Sequence, residues 1–288
     1  MINRVAFCSV NLIGDTVTQS PAIREFKRQN PHNHITWAVN SNPNVNLLDL
    51  LSWMVGDVCD EVVETPNWDA LREGRHYGPN VSHYVMSCNK SFEIGHKKNC
   101  HISQGYAEMI GVQIAPHDIL PKIKVPEKKP NWLTPDPDTM VISPNSASND
   151  KSKGSDGFAG NKVAPWTTWF RLFEMFRKEN RVTRSVLLLG PEDPHPPIPI
   201  PVHRLPLDQA TRFIYDACQI GGIYAGVDNG ITHIASGLRV PVFCIYCEGI
   251  SESWVSYSNF PHYRIAKVNP AHCRHTDIWA HWRNRLRD

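Results

Sequence analysis

Short apolar runs alternate with amphipathic stretches along this chain, and the alternation occurs twice. Val5 to Val10 is apolar and is bounded by Asn11 and Gly14, the pattern of a buried strand. Thr18 to Gln29 has helical spacing, with Pro21 near its first turn, where proline is tolerated. Ile35 to Val39 reads as a second strand, Asn46 to Met54 as a helix and Glu61 to Val63 as a short strand. Such alternation specifies a parallel sheet with helices on its faces. A second series starts at Thr139. Its strands are Thr139 to Ser143, Val186 to Gly190, Ile223 to Ala225 and Val242 to Tyr246. Its helices are Pro165 to Asn180, Leu207 to Ala217, Ile231 to Leu238 and a basic terminal stretch, Ile278 to Leu286. Phe170, Phe173 and Phe176 mark one apolar face of the first of these.

Between the two series lie Pro116, Pro121, Pro126, Pro130, Pro135 and Pro137. Proline-rich polar stretches do not build regular elements and often join domains. The expected boundary is near residue 138, giving one domain over 1–138 and another over 139–288. Residues 64–100, with Gly74, Gly78, Pro79 and Gly95, read as an insertion or long loop, and His101 to Ile110 as a helix closed by Gly111. The expectation is two Rossmann-like α/β halves with a cleft between them. Ligands in such sheets sit at the carboxyl ends of the strands.

Composition narrows the function classes. The chain has 288 residues, 41% of them hydrophobic, enough for two cores. No apolar run approaches the ~20 residues of a membrane span. The N-terminal segment lacks the pattern of a signal peptide, so the expected location is cytoplasmic. The eight cysteines then read as reduced thiols. A net charge of +2 does not by itself point to nucleic acid.

Four loops fall at strand carboxyl ends. In Ala225 to Ala235, Gly226 and Gly230 bracket Asp228 and Asn229 ahead of a helix start. A strand end, a glycine turn and a helix N-terminus together favour an anion, most often phosphate. An ordinary βα loop has the same composition. Asn11 to Val17 holds Gly14 and Asp15. Asp15 is either a helix N-cap, which position alone favours, or a general base. Ser143 to Ser148 offers small hydroxyls to a phosphate, or is a plain turn. The polar stretch Asn149 to Asn161 follows. It leads to Lys162, a cation placed where a helix dipole disfavours it unless a phosphate lies between. In Gly190 to Asp193, Glu192 suits a ribose diol or is a turn acid.

These blocks, in this order, resemble glycosyltransferase family nine, the ADP-heptose lipopolysaccharide heptosyltransferases and their relatives. Gly14 to Val17 with Ser20 to Ile23 is similar to the family's amino-terminal Gly-Asp…Pro-Ala-Ile block. Ser143 to Ser148, then Lys162, Pro165 and Trp166, resembles its small-residue loop and lysine segment. Leu187 to Gly190 resembles its strand–glycine block. Gly226 to His233 resembles its Gly-x-Asp-[Ser/Thr]-Gly-x-x-His signature. Asn229 stands where Ser or Thr is usual, Trp166 follows Pro165 rather than preceding it, and the stretch before Lys162 is long.

The resemblance implies a GT-B fold with the two domains facing across a cleft. It implies an inverting, metal-independent transfer of heptose or a similar sugar from a nucleotide-diphosphate sugar, ADP-linked, with no cofactor. Asp15 would be the base, and Lys162 would contact the donor diphosphate. Ser146, Ser148, Glu192, Asp228, Asn229, Gly230 and His233 would line the donor site in the C-terminal domain. Gly14 and Thr16 would lie beside the acceptor in the N-terminal one. Lys97 and Lys98, in the basic cluster His96 to His101, face an anionic acceptor such as a phosphorylated glycan or form a solvated run. The acceptor is expected to be a bacterial-type surface glycan or glycolipid, with peripheral membrane contact in keeping. A modified nucleic acid or a protein, or a sugar-nucleotide-binding protein without activity, are the alternatives. Cys244, Cys247 and Cys273 carry some metal-like spacing, but no metal site is expected.

Overall fold

The computed structural model describes residues 3–9, 12–40, 47–65, 80–127, 133–145, 166–191, 193, 195–246, 257 and 260–267. The chain forms two compact units that part at Lys124 and Val125, inside the proline-rich stretch. Each is an α/β unit on a parallel sheet.

In the first unit the sheet order is β3-β2-β1-β4. The strands are β1 (Arg4–Ser9), β2 (His34–Asn40), β3 (Glu61–Thr65) and β4 (Val81–Met86). Helix α1 spans Ile13–Gln29, five residues earlier than the apolar spacing predicts. Pro21 is therefore interior. Proline has no N–H to give Val17 four residues back, and the Ser20 hydroxyl donates to the Val17 carbonyl instead, at 2.8 Å. Thr16 and Thr18 likewise donate to the carbonyls of Leu12 and Asp15. This side-chain bonding lets a polar, proline-bearing segment stay helical. Helix α2 (Leu47–Asp49) runs on into a π-helical stretch, Leu50–Val55.

Residues 64–100 are not all irregular, contrary to the expectation. They include β4 and helix α3 (Cys88–Lys98). Ser87 caps α3 by accepting the Lys90 N–H, and Asn99 ends it in the left-handed region at φ 49°. His101 then caps α4 (Ile102–Met109), its Nδ1 accepting the Ser103 N–H. The two helices approach closely at Gly105, where a Cβ would lie 2.4 Å from the Ser91 carbonyl oxygen. Phe7, Ile23, Trp37, Met54 and Tyr106 are buried at the centre of the unit. Phe7 meets Phe26 edge-on with ring centroids 5.2 Å apart.

In the second unit the order is β10-β9-β8-β5-β6-β7. Strand β5 (Thr139–Ser143) is central and buried throughout. The others are β6 (Arg184–Leu188), β7 (Val202–His203), β8 (Ile223–Val227), β9 (Val242–Tyr246) and β10 (Tyr263–Lys267). Helix α5 (Trp166–Lys178) places Trp169, Leu172 and Phe176 against Met140, Ile142 and Leu187. Each such side chain contributes about 1.5–3 kcal/mol by leaving water. Helices α6 (Leu207–Gln219) and α7 (Gly230–Gly237) complete the described elements. The expected terminal helix, Ile278 to Leu286, lies outside the described residues. No helix among them is long and apolar enough to cross a membrane.

Candidate active-site edges

In the second unit the carboxyl ends of β5 and β8 lie side by side, with Ser143 paired to Gly226. Both chains leave the sheet here, so backbone groups at this edge need partners from elsewhere. Asn229 supplies them. Its Oδ1 accepts the Thr232 N–H at 2.8 Å and caps α7. Its Nδ2 donates to the Asn145 carbonyl at 2.8 Å and lies 3.1 Å from the Ser143 hydroxyl. One side chain thus ties the loop after β5 to the start of α7. With Thr232 N–H taken and His233 N–H given to the Asn229 carbonyl, the N–H groups of Gly230 and Ile231 have no partner among the described residues. Amides at a helix start in this state suit an anion.

The turn is backed by a buried polar stack. Thr232 Oγ1 donates to the Val227 carbonyl at 2.6 Å, and Tyr224 Oη donates to Thr232 Oγ1 at 2.9 Å. Burial pushes the Tyr224 phenol well up from its usual range, so it stays a neutral donor. Gly226 is required here, because a Cβ would lie 2.7 Å from Tyr224 Oη and 2.8 Å from Thr232 Oγ1. Asp228 and His233 are 7% and 6% exposed. His233 Nε2 lies 3.4 Å from Asp228 Oδ1, and its Nδ1 lies 3.1 Å from Tyr257 Oη. Burial, and then the Asp228 charge, push the Tyr257 phenol well up. His233 is therefore wedged between two buried partners.

Beyond β6, Arg204 donates to the carbonyls of Gly190, Pro191 and Asp193, and the Asp193 carboxylate accepts the Gly190 N–H at 2.7 Å. The backbone on both sides of position 192 is held by this clamp. Ser146, Ser148, Lys162 and Glu192 themselves lie outside the described residues.

In the first unit, Asp15 stands one turn past the carboxyl end of β1. It is the third residue of α1, and Leu12 occupies the N-cap position with no side-chain cap bond. The N-cap reading of Asp15 is thus corrected: Thr16, Thr18 and Ser20 extend the helix, which starts ahead of it. Asp15 Oδ1 accepts a hydrogen bond from Cys88 Sγ at 3.0 Å, from the first residue of α3. Beneath runs a buried chain. Trp37 Nε1 donates to Ser9 Oγ at 2.7 Å, Ser9 Oγ donates to Gln19 Oε1, and Gln19 Nε2 donates to the Met86 carbonyl. The ends of β1 and β4 are locked to α1 at the turn that presents Asp15. Tyr106 of α4 is buried nearby. Burial, and then the Asp15 charge, raise its phenol well above the ordinary value.

Gly14 is half-buried beside Asp15, and Thr16 is buried with its hydroxyl given to the Leu12 carbonyl. Lys97 and Lys98 sit at the far end of α3 from Cys88, about 15 Å along the helix. Lys98 pairs with Glu108 at 2.5 Å, and His101 is buried as a cap rather than exposed with them. The structure thus brings Asp228, Asn229, Gly230 and His233 together, and Gly14, Asp15 and Thr16 together. Cys88, Gln19 and Trp37 around Asp15 were not singled out from the sequence.

Cys244 is buried on β9, while Cys247 and Cys273 lie outside the described residues. Among the described residues no three His, Cys, Asp or Glu side chains are grouped to hold a metal.

No protein-family model matches the chain, and no curated protein does. Solved structures match it by fold. A glycosyl transferase family 9 protein from Veillonella parvula DSM 2008 is 14% identical, with a TM-score of 0.63 over 92% of this chain and 86% of that one. The E. coli heptosyltransferase WaaC, solved with ADP, is 13% identical, with a TM-score of 0.61 over 98% of this chain and 99% of that one. E. coli ADP-heptose lps heptosyltransferase II is 14% identical, with a TM-score of 0.61 over 98% of each chain. The fold is the one these glycosyltransferases share.

Proposed function

We propose that the protein is an inverting, metal-independent glycosyltransferase that moves heptose or a similar sugar from an ADP-linked donor to a hydroxyl acceptor. The acceptor is a bacterial-type surface glycan or glycolipid, and the reaction runs in the cytoplasm. One observation carries the reading. In a chain folded like heptosyltransferases, Asn229 clasps the loop after β5 to the start of α7, where the Gly230 and Ile231 amides have no partner among the described residues. That is a site for the diphosphate of a nucleotide sugar.

The chemistry divides between the two units. The acceptor oxygen attacks the anomeric carbon, its proton passes to the Asp15 carboxylate, and the carbon–oxygen bond to the diphosphate breaks. The leaving diphosphate gathers charge, which Lys162 and the amides at the start of α7 stabilise. The reading requires both carboxyl edges to serve one donor and one acceptor across a cleft, as the GT-B resemblance implies. Asp228 and His233 act as the buried frame of the donor turn, and Ser146, Ser148 and Glu192 complete the donor site.

Single displacement predicts the stereochemistry. NMR of the product is expected to show the anomeric configuration opposite to that of the donor, at a rate unchanged by a chelator. Retained configuration, or activity lost with chelation and restored by a divalent cation, contradicts this mechanism.

A further inference from the structure

We propose that Tyr257 is a positioning residue for the donor turn, fixing the tautomer of His233 so that its Nε2–H is aimed at Asp228. The inference rests on the donor-site reading above. The three side chains form one buried row at the start of α7. Tyr257 is fully buried, and Asp228 and His233 are nearly so. His233 Nε2 lies 3.4 Å from Asp228 Oδ1, and its Nδ1 lies 3.1 Å from Tyr257 Oη. Both nitrogens of His233 are thus taken, whatever else Asp228 and Tyr257 touch. A carboxylate only accepts, so Nε2 carries the proton on that side. The buried Tyr257 phenol keeps its proton and can donate it, so a neutral imidazole accepts at Nδ1. The other neutral tautomer would set a bare nitrogen against the carboxylate, two buried acceptors with no proton between them.

Tyr257 is itself held. Its carbonyl accepts the Phe260 N–H at 2.9 Å, and the rings of Tyr257, Phe260 and His262 follow one another at 6.4 and 6.0 Å. His262 Nε2 donates to the Ser236 carbonyl at 3.2 Å, and the His262 carbonyl accepts the Val242 N–H at 2.8 Å. Tyr257 and His262 therefore grip α7 at His233 and Ser236, about one turn apart, and His262 ties this grip to the start of β9. A helix gripped twice along its flank keeps one rotation about its axis. Asp228, two residues ahead of Gly230, is held by the same row, so the turn between them is fixed at both ends. Amides set in advance need no rearrangement when an anion arrives.

Titration of the full chain with ADP tests this, comparing wild type, Tyr257→Phe, His233→Gln and the double variant. Phenylalanine removes one oxygen and keeps the ring that meets His233 edge-on at 5.8 Å. Glutamine keeps an N–H for Asp228 and has no polar atom in the place of Nδ1. Tyr257→Phe is expected to weaken ADP binding about threefold to tenfold in the wild-type background, and less than about twofold in the His233→Gln background. Unaltered ADP affinity in Tyr257→Phe, or losses that multiply in the double variant, overturn the proposal.

A second readout needs neither a variant nor a ligand. Nitrogen NMR of the His233 ring in the wild-type chain is expected to show Nε2 protonated and Nδ1 bare. A proton on Nδ1 overturns the proposal. A wild-type chain that binds neither ADP nor an ADP-linked sugar overturns the donor-site reading instead, and the ring resonances still decide the contact with Tyr257.

Discussion

Replacing Asp15 with asparagine should abolish transfer and leave the nucleotide-sugar complex intact. The substitution preserves size and one acceptor oxygen, so the contact from Cys88 and the fold of α1 are kept. What is lost is the capacity to take a proton. General-base catalysis is worth about 10²–10⁴-fold, and kcat should fall by that factor. The proposed donor site belongs to the other unit, so the donor dissociation constant should change less than about threefold. Single-turnover rates and equilibrium titration of the same variant separate the two quantities. Loss of donor binding together with turnover would remove Asp15 from the base role and make it part of the donor site.

Asn229→Ala has the largest expected effect on stability. The side chain caps α7, and removing such a cap costs about 0.5–2 kcal/mol. It also bonds Asn145 and Ser143, each bond contributing about 1 kcal/mol. Together these give about 2–4 kcal/mol, read as a lower denaturant midpoint. Donor affinity should fall at least about tenfold, because the loop after β5 is no longer tied to the helix start proposed to receive the diphosphate. Asn229→Ser restores a cap without the reach to Asn145. It should recover helix stability more fully than donor affinity. Equal recovery of both would show that the clasp is a cap alone.

The central strands of the second unit were legible because they are short and apolar, with β5 buried throughout. Strands β5 and β9 run over the residues their apolar spans predict. The apolar face of α5 was read at Phe170, Phe173 and Phe176; the structure buries Phe176 together with Trp169 and Leu172, and leaves Phe170 and Phe173 partly buried against the same core. The first unit hid more, including strand β4. The start of α1 escaped because Thr16, Thr18 and Ser20 satisfy backbone carbonyls with hydroxyls, which leaves no hydrophobic period to read. Helix α3 escaped because its buried face is made of Ser91 and Gly95. Small residues permit the close approach of α4 but leave no apolar stripe.

The candidate site was legible where backbone chemistry shapes it. A Gly-Val-Asp-Asn-Gly turn before a helix reads as an anion site because glycine and a capping residue fall at fixed offsets. The same pattern could not say that Asn229 reaches across to the β5 loop, since that contact joins residues 84 positions apart. The partners of Asp15 were equally hidden, because Cys88 lies 73 positions away and meets it only through the parallel pairing of β1 with β4.

The most direct measurement of the central claim is thermal stability of the intact protein against a panel of nucleoside diphosphates and nucleotide sugars. A ligand that binds only the folded state stabilises it by about 2.7 kcal/mol at a hundredfold excess over its dissociation constant. The account predicts a selective rise in the midpoint with ADP and an ADP-linked sugar, lost in Lys162→Ala. No shift with any member of the panel, or a shift that survives Lys162→Ala undiminished, would contradict it.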